Sequence, residues 1–307
     1  MNIGIIANYG YKLKITERAK MIGDAGYTSV FLYWSDVNEE EIPNTAQPEL
    51  FRKHGLEITS VHAPFDNIND IWVDNQNGQS LYEILASCVS DCGEHNIPVA
   101  VMHIAKGNNP PKPCDIGFDR LRRLLDLGEK YNVDLAFENT RTLAYLDLLF
   151  ASFESSRLKF CYDIGHEYCL DRVMRLIGLC KKSNIDFSFK NIQTPEYFEG
   201  LLSQVGISLI NFQNDDYPKI DLLNIYGDRI VAIHLHDNDG TGDLHLMPFD
   251  GSIPWYDTIK RLKNTGFNGD LMLECIATES DLIKYSSEEY LAESMKRAKM
   301  LEKLFSI

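Results

Sequence analysis

No stretch of this 307-residue chain approaches the ~18 consecutive apolar residues that a membrane span requires. The opening, "MNIGIIANYGYK", lacks a basic region ahead of a long apolar run, so no export signal is expected. The seven cysteines form no CxxC pair, and their odd number and scatter offer no disulfide framework. A reduced, cytoplasmic protein is the expectation. Glycine is not arranged as a dinucleotide fingerprint, and neither a P-loop nor GxSxG occurs. Basic residues are scarce: 30 lysines and arginines face 45 acidic residues, a net charge of -15. Duplex binders draw affinity from neutralised phosphates, so this balance argues against nucleic acid and against an acidic membrane surface.

What the chain does have is a 44% hydrophobic content, enough for a sizeable core. Short β-rich apolar runs alternate with helix-length amphipathic segments. The expected strands are "NIGIIA" (2–7), "TSVFLY" (28–33), "EITSVH" (57–62), "PVAVMH" (98–103), "VDLAFE" (133–138), "LKFCYD" (158–163), "RIVAIH" (229–234) and "DLMLE" (270–274). Helices are expected at 16–26, 78–95, 116–131 and 286–305, the first stopped by Gly26. Eight strands alternating with helices predict one (β/α)₈ TIM barrel over 1–307, with an open doubly wound sheet as the alternative.

Two segments break the rhythm. After the second strand runs an acidic loop with Glu39, Glu40 and Glu41. After the sixth, residues 167–218 exceed any ordinary connection and hold Phe187, Phe189, Tyr197, Phe198, Phe212 and Tyr217. That stretch is read as an insertion on the C-terminal face, either a lid or an added packing element.

The last residues of strands three to eight are His62, His103, Glu138, Asp163, His234 and Glu274. In a (β/α)₈ barrel these ends converge where active sites are built. Each alone has a bland reading, a core histidine or a helix cap, but six in register do not. "YDIGH" adds His166, and "GDLH" adds Asp243 and His245. Nine candidate ligands of mixed imidazole and carboxylate type suit Zn, Mn, Co or Fe rather than Ca. They exceed one ion's needs, so one to three ions are open. His236 shares the parity of His234 and is read as a support for a ligand or a substrate contact. His54 and His95 sit at helix ends before strands, on the opposite rim, and take no catalytic role.

At these residues the chain resembles the xylose isomerase-like TIM-barrel superfamily, which unites sugar and sugar-phosphate isomerases and epimerases with endonuclease IV. "VHAPFDNIND", "FENTR", "YDIGH", "HLHDNDGTGDLH" with "FDGSIPW", and "LMLE" stand in the family's order over nearly the whole chain. The resemblance implies one divalent metal on Glu138, Asp163, His234 and Glu274, with Glu138 and Glu274 exchanging a proton beside a carbonyl. It also implies that His166 orients the substrate. Lys106 and Arg141, just past strand ends, are candidates to hold a phosphate or hydroxyls. In endonuclease IV the nine matching positions bind three zinc ions that attack a phosphodiester, so hydrolysis is the alternative. A small sugar or sugar phosphate is the expected partner, with self-association into a homo-oligomer left open.

Overall fold

The computed structural model describes residues 1–34, 42–107, 109–188, 191–192, 194–214 and 220–306. Glu39, Glu40 and Glu41 of the acidic loop, and Phe189 and Tyr217 of the expected insertion, lie outside the described residues.

The eight apolar runs all form strands: β1 (Ile3–Ile6), β2 (Ser29–Tyr33), β3 (Glu57–His62), β4 (Val99–Met102), β5 (Asp134–Glu138), β6 (Leu158–Asp163), β7 (Ile230–His234) and β8 (Leu271–Leu273). They pair in parallel in the order β7-β6-β5-β4-β3-β2-β1-β8. A parallel bridge between Leu235 and Leu273 joins the two ends of that order, and Glu274 N donates to Leu235 O at 3.0 Å. The result is a (β/α)₈ TIM barrel.

Around it, in chain order, lie α1 (Ile15–Asp24), α2 (Gln47–Arg52), α3 (Gln76–Glu94), α4 (Asp115–Tyr131), α5 (Leu143–Ser152), α6 (Ile164–Lys182), α7 (Pro195–Gln204), α8 (Leu209–Asn214), α9 (Leu222–Tyr226), α10 (Trp255–Asn264), α11 (Glu279–Lys284) and α12 (Ser287–Ser306). The helices follow from spacing. In α10, Trp255, Ile259 and Leu262 recur at three- and four-residue steps and are buried. In α4, Leu121, Leu124 and Leu125 do the same, and the helix ends on Asn132 in the left-handed conformation (φ 57°).

Alternation along the strands sorts side chains between the helices and the barrel interior. The interior layer is small: Val99, Val101, Ala136 and Cys161 cluster there, with Ala232 packed against them. A Cβ on Gly4 would come within 2.4 Å of the Met272 side chain, so β1 carries glycine where Met272 fills the barrel. Two register shifts tune the rim. The β2–β3 ladder slips between Val30 and Phe31, which sets Tyr33 level with His62. The β6–β7 ladder slips between Phe160 and Cys161, which sets Asp163 level with His234. Without such a slip the facing residues would have opposite parity, and one of each pair would leave the interior.

The insertion begins later than the sequence suggested. Residues 167–182 continue α6, the ordinary barrel helix after β6, and the extra chain follows Lys182. The added helices have a core of their own. Val173, Leu176, Ile177 and Cys180 of α6 pack with Ile192, Phe198, Leu201, Leu202 and Phe212. Arg172 and Arg175 both donate through Nη1 to the Phe212 carbonyl, at 2.6 and 2.5 Å.

Candidate metal centre

Glu138, the last residue of β5, is the hub. Its Oε2 lies 3.2 Å from His62 Nε2, 3.4 Å from His103 Nε2 and 3.5 Å from His234 Nδ1, while Oε1 lies 2.9 Å from His166 Nδ1. Four imidazoles, three from the ends of β3, β4 and β7 and one from the first turn of α6, thus face one carboxylate that is 1% exposed. Across from it, Glu274 Oε2 lies 3.3 Å from the same His234 Nδ1.

Asp163 closes β6 and at once caps α6, its Oδ1 accepting from His166 N at 2.6 Å. An aspartate suits this role because its short side chain reaches the unpaired N–H groups of the first turn. The strand-to-helix step without a loop is what places His166 beside the site. Asn139 extends the sheet by one rung: its side-chain amide donates to Asp163 O and accepts from Asp163 N, both at 2.8 Å. His236 is fully buried, with Nε2 3.1 and 3.2 Å from the two Asp163 oxygens and its ring stacked 4.2 Å from that of His245. That position supports Asp163. A Cβ on Gly165 would meet His236 Cε1 at 1.9 Å, so glycine in "YDIGH" makes room for this support.

The loop after β7 brings the remaining donors. Asp243 Oδ2 lies 3.1 Å from His166 Nε2 and 3.4 Å from His245 Nε2. The loop is organised by buried Asp237, whose carboxylate accepts from Trp255 Nε1 at 2.7 Å and from the backbone of Asn238, Phe249 and Ile253. All nine sequence-derived candidates therefore meet at one end of the barrel. His54 and His95 stand before β3 and β4, away from it.

Whether these groups fit a cation is decided by their lone pairs. His62 Nδ1–H donates to Ala63 O at 2.8 Å, and His245 Nδ1–H donates to Glu274 O at 2.9 Å. In each neutral ring the Nε2 lone pair then faces a carboxylate, an arrangement that needs a positive charge between them. Metal-binding histidines characteristically spend their second N–H on a carbonyl in this way. Buried His234 has no hydrogen-bond partner at either ring nitrogen among the described residues. Asp163, His234 and Glu274 offer ligand atoms within 4.8 Å of one another, as do His62, His103 and Glu138. The residues fit a divalent ion.

Without an ion, protons take its place. Burial disfavours charge on His234, but the Cys161, Glu274 and Glu138 side chains around it raise its pKa well above the ordinary value. Burial works against His245 too, and Asp243 and Glu274 push it up to about 10. His166 is raised well above its ordinary value by Asp163 and Asp243, again against burial. Burial favours the neutral acid at Glu138, yet His103 and His234 hold it well below the usual carboxylate range. His103 alone is lowered, chiefly by burial. The His245 contribution to metal-free stability is complete below about 6.5 and disappears as pH rises through about 10. Adding Mn²⁺ or Zn²⁺ to metal-stripped protein at pH 7 should therefore release protons, and affinity should fall about tenfold for each unit by which the pH is lowered, per proton displaced. Titration in unbuffered solution measures this; uptake without proton release would refute the assignment.

A cavity of about 280 Å³ adjoins the centre, lined by Phe65, His103, Lys106, Arg141, His166 and Asp243 among others. Sequence reasoning missed three supporting residues. Tyr33, whose hydroxyl donates to Glu274 Oε1 at 3.3 Å, ends β2 in step with the other strand ends and was findable on that ground. Asn139 follows Glu138 directly, and Asp237 follows His236, but neither shows its partners in a linear sequence.

The protein y4fM of Sinorhizobium fredii is 35% identical over 181 residues, which is 56% of this chain and 54% of y4fM, so the match spans about half of that relative. Two solved structures share the fold over almost the full length. A D-tagatose 3-epimerase-like protein has a TM-score of 0.63 at 19% identity, covering 98% of this chain and 99% of that one. D-Psicose 3-epimerase from Clostridium cellulolyticum H10, solved with D-tagatose, has a TM-score of 0.60 at 13% identity, covering 99% of each. A family model described as xylose isomerase-like TIM barrel matches residues 19–303, a span that carries every strand end from Tyr33 to Glu274. With that match over most of its length and the same barrel beneath it, the chain belongs to the xylose isomerase-like TIM barrel family.

Proposed function

We propose that this chain is a divalent-metal-dependent isomerase or epimerase of a sugar or sugar phosphate, acting by proton transfer next to a carbonyl. The observation that carries the reading is that Glu138 and Glu274 reach one nitrogen of His234, at 3.5 and 3.3 Å. Two carboxylates thereby flank a single point. A cation held there by Glu138, Asp163, His234 and Glu274 would polarise the substrate's carbonyl and hydroxyl oxygens. The chain's own part is to move the proton. Glu274, its pKa lowered by His234 and His245 against burial, is an ionised base that takes the proton from the carbon beside the carbonyl. Glu138, once protonated from solvent, returns a proton to the other face or to the neighbouring carbon, and Glu274 gives up its own to solvent. His166, 19% exposed on the cavity wall, orients the sugar. The epimerase names of the two structural neighbours support the substrate class without establishing it.

Phosphodiester hydrolysis on three ions is the second reading. It is favoured by His62 and His103 converging on Glu138 and by the Asp243–His245 pair. Both readings are tested together. Bound metal is counted per chain, and the loaded protein is incubated in D₂O with ketoses, their phosphates and abasic-site DNA. One ion per chain and deuterium uptake at the carbon beside a sugar carbonyl are expected. Three ions and DNA incision without exchange into any sugar would overturn the proposal in favour of hydrolysis.

A further inference from the structure

We infer that the cavity beside the metal centre is an anion subsite, in which Lys106 and Arg141 hold the terminal phosphate or carboxylate of an anionic sugar. The inference rests on the sugar reading above and narrows its substrate. In a chain of net charge -15, two cationic side chains that ligate nothing line the same 280 Å³ cavity as His103, His166 and Asp243. A pocket of that size, near the lower end of the ~300–1,000 Å³ common for small-molecule sites, suits a monosaccharide.

Both cations are exposed at the cavity mouth, and the loops that carry them are fixed by neighbouring groups. The Lys106 backbone is clamped by Asn69, whose side chain donates to Lys106 O and accepts from Lys106 N, each at 2.9 Å. Its ammonium lies 5.0 Å over the Phe65 ring, and Phe65 packs 4.6 Å from His103. This ties the lysine's position to that of a candidate ligand. The Lys106–Asp66 pair, 3.4 Å long, joins side chains that are 48% and 88% exposed, so it is a weak competitor for the ammonium. The Arg141 guanidinium makes no hydrogen bond or ion pair with any described residue. Thr142 Oγ1 donates to Ala105 O at 3.3 Å, linking the loop that carries Arg141 to the loop that carries Lys106. The two charges are therefore held on joined loops before any ligand arrives. A guanidinium fork donates two parallel hydrogen bonds to a phosphate or carboxylate, and a neutral hydroxyl cannot match that.

The test compares a ketose, its terminal phosphate and the corresponding keto-uronate by kcat/KM for deuterium exchange, in the metal-loaded wild type and in Lys106→Met/Arg141→Met. One of the two anionic substrates should exceed the neutral ketose by about 100-fold, and the ratio should fall below about 10-fold in the double variant. The phosphate and uronate arms separate the two sources of negative charge. Calorimetric titration with inorganic phosphate reads the subsite without turnover, and its affinity should drop at least about 10-fold in the variant. Equal use of neutral and anionic sugars, or unchanged phosphate affinity, would overturn the subsite. Phosphate binding through Lys106 and Arg141 without exchange in any sugar would support the subsite while removing the isomerase reading.

Discussion

Glu274→Gln should lower turnover by at least about 10³-fold and leave the barrel folded. Glutamine keeps the shape and the hydrogen bond from Tyr33, whose hydroxyl lies 3.3 Å from Glu274 Oε1. It removes the charge that faces His234 at 3.3 Å and, in the proposed reaction, the basic oxygen that would accept the substrate proton. A positioned general base contributes about 10²–10⁴-fold, and loss of a metal ligand adds to that. Exchange of deuterium into the substrate measures the effect, while circular dichroism and the thermal midpoint report folding. Glu274→Asp is the companion variant: it keeps the charge but withdraws the carboxylate, so it should lose rate with less loss of metal affinity than Glu274→Gln. Full activity of Glu274→Gln would refute the role.

The second large effect concerns Glu138, on which four imidazoles converge. Ligand bound only by the folded state at ~1,000 times its Kd stabilises by about 4 kcal/mol. At about 2 °C per kcal/mol for a chain of this size, saturating Mn²⁺ or Zn²⁺ should raise the thermal midpoint by about 5–10 °C. Glu138→Gln should abolish that rise and with it the exchange reaction, because the shared carboxylate of the site is gone. It should also weaken the metal-free protein. His234 and His166 are held charged in part by Glu138, and a buried cation without its counter-charge costs about 3–5 kcal/mol. Calorimetry with and without a chelator measures both. An undiminished metal-induced shift in the variant would show that the ion sits elsewhere.

These effects are concentrated because the site is built from strand ends, with little tolerance at each position. His236 and Asn139 illustrate the point: one holds the Asp163 carboxylate and the other its backbone. The Asp237 network does the same for the loop that delivers Asp243 and His245. All three act through hydrogen bonds between residues far apart in the chain or on different strands.

The strands and the six donors at their ends were legible in the sequence for one reason. Interior strands read as short apolar runs, and a period of two makes the parity of each side chain visible. His62, His103, Glu138, Asp163, His234 and Glu274 stood out because each is polar where an apolar run stops. The tertiary structure decided what no local pattern encodes. The register shifts that align Tyr33 with His62 and Asp163 with His234 depend on how the barrel closes. The start of the extra chain after Lys182 depends on α6 continuing past His166, since its own apolar face first meets the barrel and then α7 and α8. The burial of His236 and the pairing of Asn69 with Lys106 required the folded loops themselves. Sequence periodicity specifies which way a side chain points, and only packing specifies what it meets.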